Sequence, residues 1–201
     1  MLTENELIKF RRELHSYPET GWCEFVTTHK IVEKLRSFGL DPIYGRQVIN
    51  PEFVAGRNPA KVEEAKKAAL EKGVPPEFIE SMQDYTGVAA IFETGRPGPV
   101  LAIRFDMDCV DVDEAHEAGH RPFDEGWAST NPGHMHSCGH DGHATMGIAV
   151  CNWIQENLDQ FCGTIKVVFQ PAEEGVRGAR PMTETGIFDD VDFLLWKPSG
   201  L

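Results

Sequence analysis

The chain has 201 residues, 41% of them hydrophobic and 25% charged, a globular composition long enough for one domain with its own core. Its net charge of −13 argues against a nucleic-acid-binding face, which needs a basic surface, and against attachment to anionic membranes. Five cysteines (Cys23, Cys109, Cys138, Cys151 and Cys162), odd in number and scattered, offer no disulfide framework and fit a reducing compartment.

The start, MLTENELIKFRREL, carries acids early and has no apolar run of signal-peptide length. No stretch approaches the ~18 apolar residues of a membrane span. The expected location is the cytoplasm. Thr3 and Glu6 form a candidate capping box ahead of Leu7, Ile8, Phe10 and Leu14, predicting a helix that runs to about Tyr17 and stops at Pro18. A second helix is predicted over 24–38, from Phe25, Ile31, Val32, Leu35 and Phe38, with Gly39 closing it. Residues 50–85 read as a helical insertion: a charged run follows Pro59 and a short helix follows Pro75-Pro76. Its charges are those of a solvated face.

Two strands, GVAAIFET (87–94) and VLAIRFD (100–106), flank the turn residues 95–99 and are expected to pair. The second is apolar almost throughout, as in a strand buried on both faces. Residues 111–133 read as a long loop. A helix over about 142–158, a buried strand TIKVVFQP (164–171), a short helix near 180–185 and a strand over 191–195 complete the order. Alternating helices and strands predict an α/β fold, a mixed or mainly parallel sheet flanked by helices. Ligands then belong at the C-terminal ends of the strands.

Three clusters sit there. His134-Met135-His136-Ser137-Cys138-Gly139-His140-Asp141-Gly142-His143 combines imidazoles and a thiol, the donor set of Zn²⁺ or a similar divalent metal. Cys138 and His140 are the strongest ligand candidates. His134, His136 and His143, taken singly, serve equally well as partners of backbone groups. Asp141 is placed to hydrogen-bond a neighbouring histidine. The second cluster is Glu173-Glu174 after the strand 164–171, where one carboxylate can bind metal while its neighbour acts as general base. Adjacent glutamates are also common in exposed loops. The third is Asp106-Met107-Asp108, a weak signal alone. Neither a G-x-x-x-x-G-K-[ST] phosphate loop nor a G-x-S-x-G serine elbow occurs. Cys138 as a protease nucleophile is a poorer reading than a metal thiolate, given the adjacent histidines and downstream acids.

The segments RRELHSYPETGWCEF, RFDMD, HMHSCGHDGH and FQPAEEGVRGA resemble the aminoacylase and hippurate-hydrolase group of dinuclear metallopeptidases, which also holds auxin-conjugate hydrolases. The residues after GRQVIN, TGRPGP, HRPF and VRGARPM are similar to the branch acting on p-aminobenzoyl-glutamate. The resemblance reaches about Phe193. It implies a zinc-peptidase-like catalytic domain that cleaves the amide bond of an N-acyl or N-aroyl amino acid, such as p-aminobenzoyl-glutamate, to p-aminobenzoate and glutamate. It further implies Mn²⁺ or Zn²⁺ held by Cys138, His140 and Glu174, with Glu173 as the general base and Asp108 supporting the site. The implied partners are a small-molecule substrate and a homologous B-type subunit or a second copy.

The same resemblance calls for a further ligand histidine after VDFLL, where Pro198 stands, and for a dimerisation domain beyond it. Residues 1–201 are therefore expected to be the N-terminal part of a catalytic domain, with the last residues foreign to the pattern. Three ligands suit one cation better than two, since neighbouring cations need several anionic groups to offset their repulsion. A catalytically silent remnant that folds and binds at most one metal is the alternative.

Overall fold

A computed structural model describes residues 1–196. Helix α1 (Glu4–His15) begins as expected: the Thr3 hydroxyl accepts the Glu6 N–H and the Glu6 carboxylate answers at Thr3. Helix α2 (Phe25–Arg36) ends two residues earlier than the sequence suggests, and Gly39 takes the left-handed conformation just past it, at φ +80°. A short strand β1 (Ile43–Tyr44) was not foreseen. Next come α3 (Pro59–Glu71), capped by the Asn58 side chain, and α4 (Pro76–Met82). The remaining elements are β2 (Val88–Glu93), β3 (Val100–Asp106), α5 (Arg121–Asp124), α6 (His140–Glu156), β4 (Thr164–Gln170), α7 (Ala179–Thr183) and β5 (Phe193–Trp196). Among the described residues no helix is long and apolar enough to cross a membrane. Pro198 lies outside them.

The five strands form one mixed sheet in the order β1-β2-β4-β3-β5. Strands β3, β4 and β5 are parallel; β1, β2 and β4 alternate in direction. The expected pairing of β2 with β3 is incorrect, because β4 lies between them. Residues 94–99 are no tight hairpin: they cross two strand spacings, roughly 10 Å, and wrap the start of β4. Gly163 donates to the Arg96 carbonyl, Thr164 to that of Pro99, and Thr94 to that of Gly163. A Cβ on Gly163 would lie 2.0 Å from the Pro99 oxygen, so the crossing requires glycine there.

Alternation along the strands separates two cores. Val88, Ala90, Phe92, Phe105, Ile165, Val167 and Phe169 face α1, α2 and α6. Ala89 and Val168 face the other way, onto Trp22, Val48, Ile49 and Met182 of α7. Helix α6 lies so close that a Cβ on Gly147 would fall 2.5 Å from the Phe169 ring. Gly147→Val is therefore expected to lower unfolding free energy by about 3 kcal/mol through overpacking, read from urea denaturation. Strand β5 pairs only with β3, and all four of its residues are exposed.

The site follows from the parallel pair. Asp106 and Gln170 stand side by side at the C-terminal ends of β3 and β4. The segments that leave these ends carry Asp108 and Glu173-Glu174, and α6 starts at His140 beside them.

Candidate metal centre

His140 is the first residue of α6, behind Gly139 at φ +78°. It is 2% exposed. Its Nδ1 lies 2.9 Å from the Asp108 backbone carbonyl. A carbonyl only accepts, so Nδ1 carries the proton and Nε2 keeps its lone pair. Nε2 is 3.8 Å from Glu173 Oε2. Burial opposes charge on this ring, but Asp108 and Asp106 prevail and hold it at about 9.

Asp108 is fully buried and serves two neighbours. Its carbonyl orients His140, and its Oδ2 accepts the Glu174 N–H at 3.0 Å. It sits behind the site, not at its opening. Glu173 and Glu174 are half-buried in the loop after β4. His140, Glu173 and Glu174 each offer one ligand atom within 4.8 Å of the others, the one such cluster among the described residues. Glu174 Oε1 is buried and has no hydrogen-bond partner. Burial first, then Asp106, Asp108 and Glu174, raise the Glu173 carboxyl above its usual range. An imidazole lone pair, an unpartnered buried carboxylate oxygen and a second carboxylate fit one divalent cation.

The expected trio was Cys138, His140 and Glu174. In the structure Glu173 takes the third place, and Cys138 stands at the margin. Its exposed thiol turns to Glu174, whose carboxylate pushes it up to about 11 with help from partial burial. A protonated thiol is a poor ligand, so Cys138 joins a metal only by losing that proton.

The other histidines of the segment lie elsewhere. His143 Nδ1 accepts the Asp106 N–H at 3.0 Å, and Asp106 in turn pairs with Arg104. His134 lies 3.8 Å from Asp111. His136 is buried, with neither ring nitrogen hydrogen-bonded, and burial lowers it to about 4. Asp141 does meet a histidine, but from α1: its Oδ2 is 2.9 Å from His15 Nδ1 and 3.0 Å from Arg11 Nε. His15 Nε2 reaches Glu114 at 2.9 Å, and Glu114 also meets His120. This buried network was missed in the sequence. The available signal was His15 one residue after Leu14 on the apolar face of α1.

Residues 102–201 match the model of Peptidase family M20/M25/M40. A homolog of one p-aminobenzoyl-glutamate hydrolase chain, from Haemophilus influenzae, is 47% identical over 94% of this chain and 45% of its own length. The chain thus spans about half the length of the curated relatives it matches. Among solved structures, an aminobenzoyl-glutamate utilization protein from Klebsiella pneumoniae superposes with a TM-score of 0.77 at 32% identity, over 96% of this chain and 42% of the other. The YXEP protein of Bacillus subtilis, described as a dinuclear metal binding peptidase from the M20 family, gives 0.70 at 28% identity, over 96% and 42%. With the metal-type cluster at the C-terminal edge of a mixed sheet and these likenesses together, the chain belongs to peptidase family M20/M25/M40.

Proposed function

We propose that the site serves a metal-dependent amidohydrolase that cleaves an N-acyl or N-aroyl amino acid, p-aminobenzoyl-glutamate being the first substrate to test. The observation that carries this is the convergence of His140 Nε2, Glu173 and Glu174, backed by Asp108. His140 and Glu174 hold Mn²⁺ or Zn²⁺, joined by Cys138 once its thiol is deprotonated. When bound, the cation supplies Lewis acidity at the scissile carbonyl and favours ionisation of water. Glu173, raised in basicity by neighbouring acids, takes the proton of the attacking water and returns it to the departing amine. Asp108 keeps Nδ1 of His140 protonated, so Nε2 faces the site. The free cysteines are consistent with a cytoplasmic setting. The Haemophilus influenzae relative is described as one subunit of its hydrolase, which supports a B-type partner or a second copy.

Metal analysis and turnover of p-aminobenzoyl-glutamate test the proposal together. Glutamate release that stops on chelation and returns with Mn²⁺ or Zn²⁺ is the expected result. Folded, metal-loaded protein without turnover leaves the second reading, a chain that binds at most one cation and does no chemistry. The single cluster among the described residues favours one cation in either case.

A further inference from the structure

Glu24 is fully buried and carries an ionisable group that none of the proposed chemistry uses. It occupies the N-cap position of α2, yet its side chain makes no capping bond. Its carboxyl instead accepts the Thr86 hydroxyl at 2.6 Å through Oε2 and the Ala172 N–H at 2.8 Å through Oε1. Both donors are neutral. A buried carboxyl without a cationic partner is destabilising, and burial plus the nearby Asp108 push this one up to about 8.

What it holds is the start of the Glu173-Glu174 loop. Ala172 is fully buried and left-handed at φ +49°, a conformation that a side chain makes unfavourable. Its carbonyl accepts the N–H groups of Gly178 at 2.8 Å and Arg177 at 3.2 Å, closing the loop. The segment before Glu24 is packed tightly on it: a Cβ at Gly21 would fall 2.8 Å from Ala172 Cα. Asp108 takes the Glu174 N–H from the other side. Two buried carboxyls therefore grip the two amides that flank Glu173.

We propose that Glu24 is a positioning residue: by fixing the Ala172 amide it holds the loop in the left-handed turn that presents Glu173 and Glu174 to His140. The inference rests on the function proposed above for those three residues.

Amide hydrogen exchange at Ala172 and Gly178, with calorimetric titration of Mn²⁺ and Zn²⁺, tests it on the full chain. Glu24→Leu is expected to speed exchange at Ala172 and to weaken cation binding, each by about tenfold. Glu24→Gln, which still offers Ala172 a carbonyl oxygen, is expected to restore both. Ile31→Val, a change in the α2 core, supplies the control, lowering the melting temperature without either local effect. If Glu24→Leu does not fold, Thr86→Val, which removes the hydroxyl that orients the carboxyl, is read the same way. Exchange and affinity that follow only global stability, as in the control, overturn the proposal. A wild-type chain that binds neither cation defeats the catalytic reading, while exchange at Ala172 still decides whether Glu24 holds the loop.

Discussion

Glu173→Gln is expected to lower turnover of p-aminobenzoyl-glutamate by about 10²–10⁴-fold, the range a positioned general base contributes, while leaving the cation in place. The amide keeps the size of the carboxyl but cannot take a proton from water. The neighbouring variant separates the roles. Glu174 has a buried oxygen without a partner and its own N–H held by Asp108, so Glu174→Gln should lose the cation along with activity. Metal analysis of both purified variants beside their rates is the measurement. Loss of the cation from Glu173→Gln, with normal binding in Glu174→Gln, would exchange the two assignments.

The second large effect concerns stability. His15 is 5% exposed and lies between Asp141 and Glu114, both buried. Removing one member of such a buried group leaves charges uncompensated, at about 3–5 kcal/mol. His15→Leu should fall at the lower end, because Asp141 retains Arg11 and Glu114 retains His120 and the Ser129 N–H. The loss depends on pH. Burial works against charge on His15, but its two carboxylates outweigh it and raise the imidazole above 6.5. Its contribution is complete below that value and fades as pH rises through the raised folded value. Asp141 and Glu114 are also opposed by burial, yet His15 and the other partners hold them below 3.8 and 4.5. Their contributions are present above those values and fade as pH falls through the lowered ones. The difference between wild type and His15→Leu in urea melts should therefore be widest between about pH 4.5 and 6.5, and narrow toward higher pH. A difference that grew with pH would show that His15 is neutral in the folded protein.

Local rules made much of this legible. The Thr3–Glu6 box, the apolar spacing in α2 and the uninterrupted strands β3 and β4 each depend on neighbours within a few residues, and each appears where expected. Partner choice in the sheet does not: β2 meets β4 through Val88 and Phe169, far apart in sequence, and nothing near residues 94–99 signals that a strand will enter between β2 and β3. The site divides similarly. Cys138, His140 and the glutamate pair stood out because their residue types have few other reasons to cluster. The double duty of Asp108, through its backbone carbonyl and its carboxylate, depends on a fold that brings β3 against α6. The His15 network draws members from α1, the 111–133 loop and α6, so no window of sequence contains it.

Strand β4 has a consequence for how the chain is made. It is the middle strand, bonded to β2 on one side and β3 on the other, yet it is synthesised long after both, once the loop and α6 have emerged. Until then β2 and β3 have no central partner, and loop 94–99 has nothing to wrap. The sheet cannot grow outward from a hairpin. It must close around a late arrival, a non-local step of the kind that slows folding and leaves strand edges open in the interval. During synthesis, chains shorter than about residue 170 would expose the apolar edges of β2 and β3, and protection of their amides should appear in one concerted phase when β4 docks.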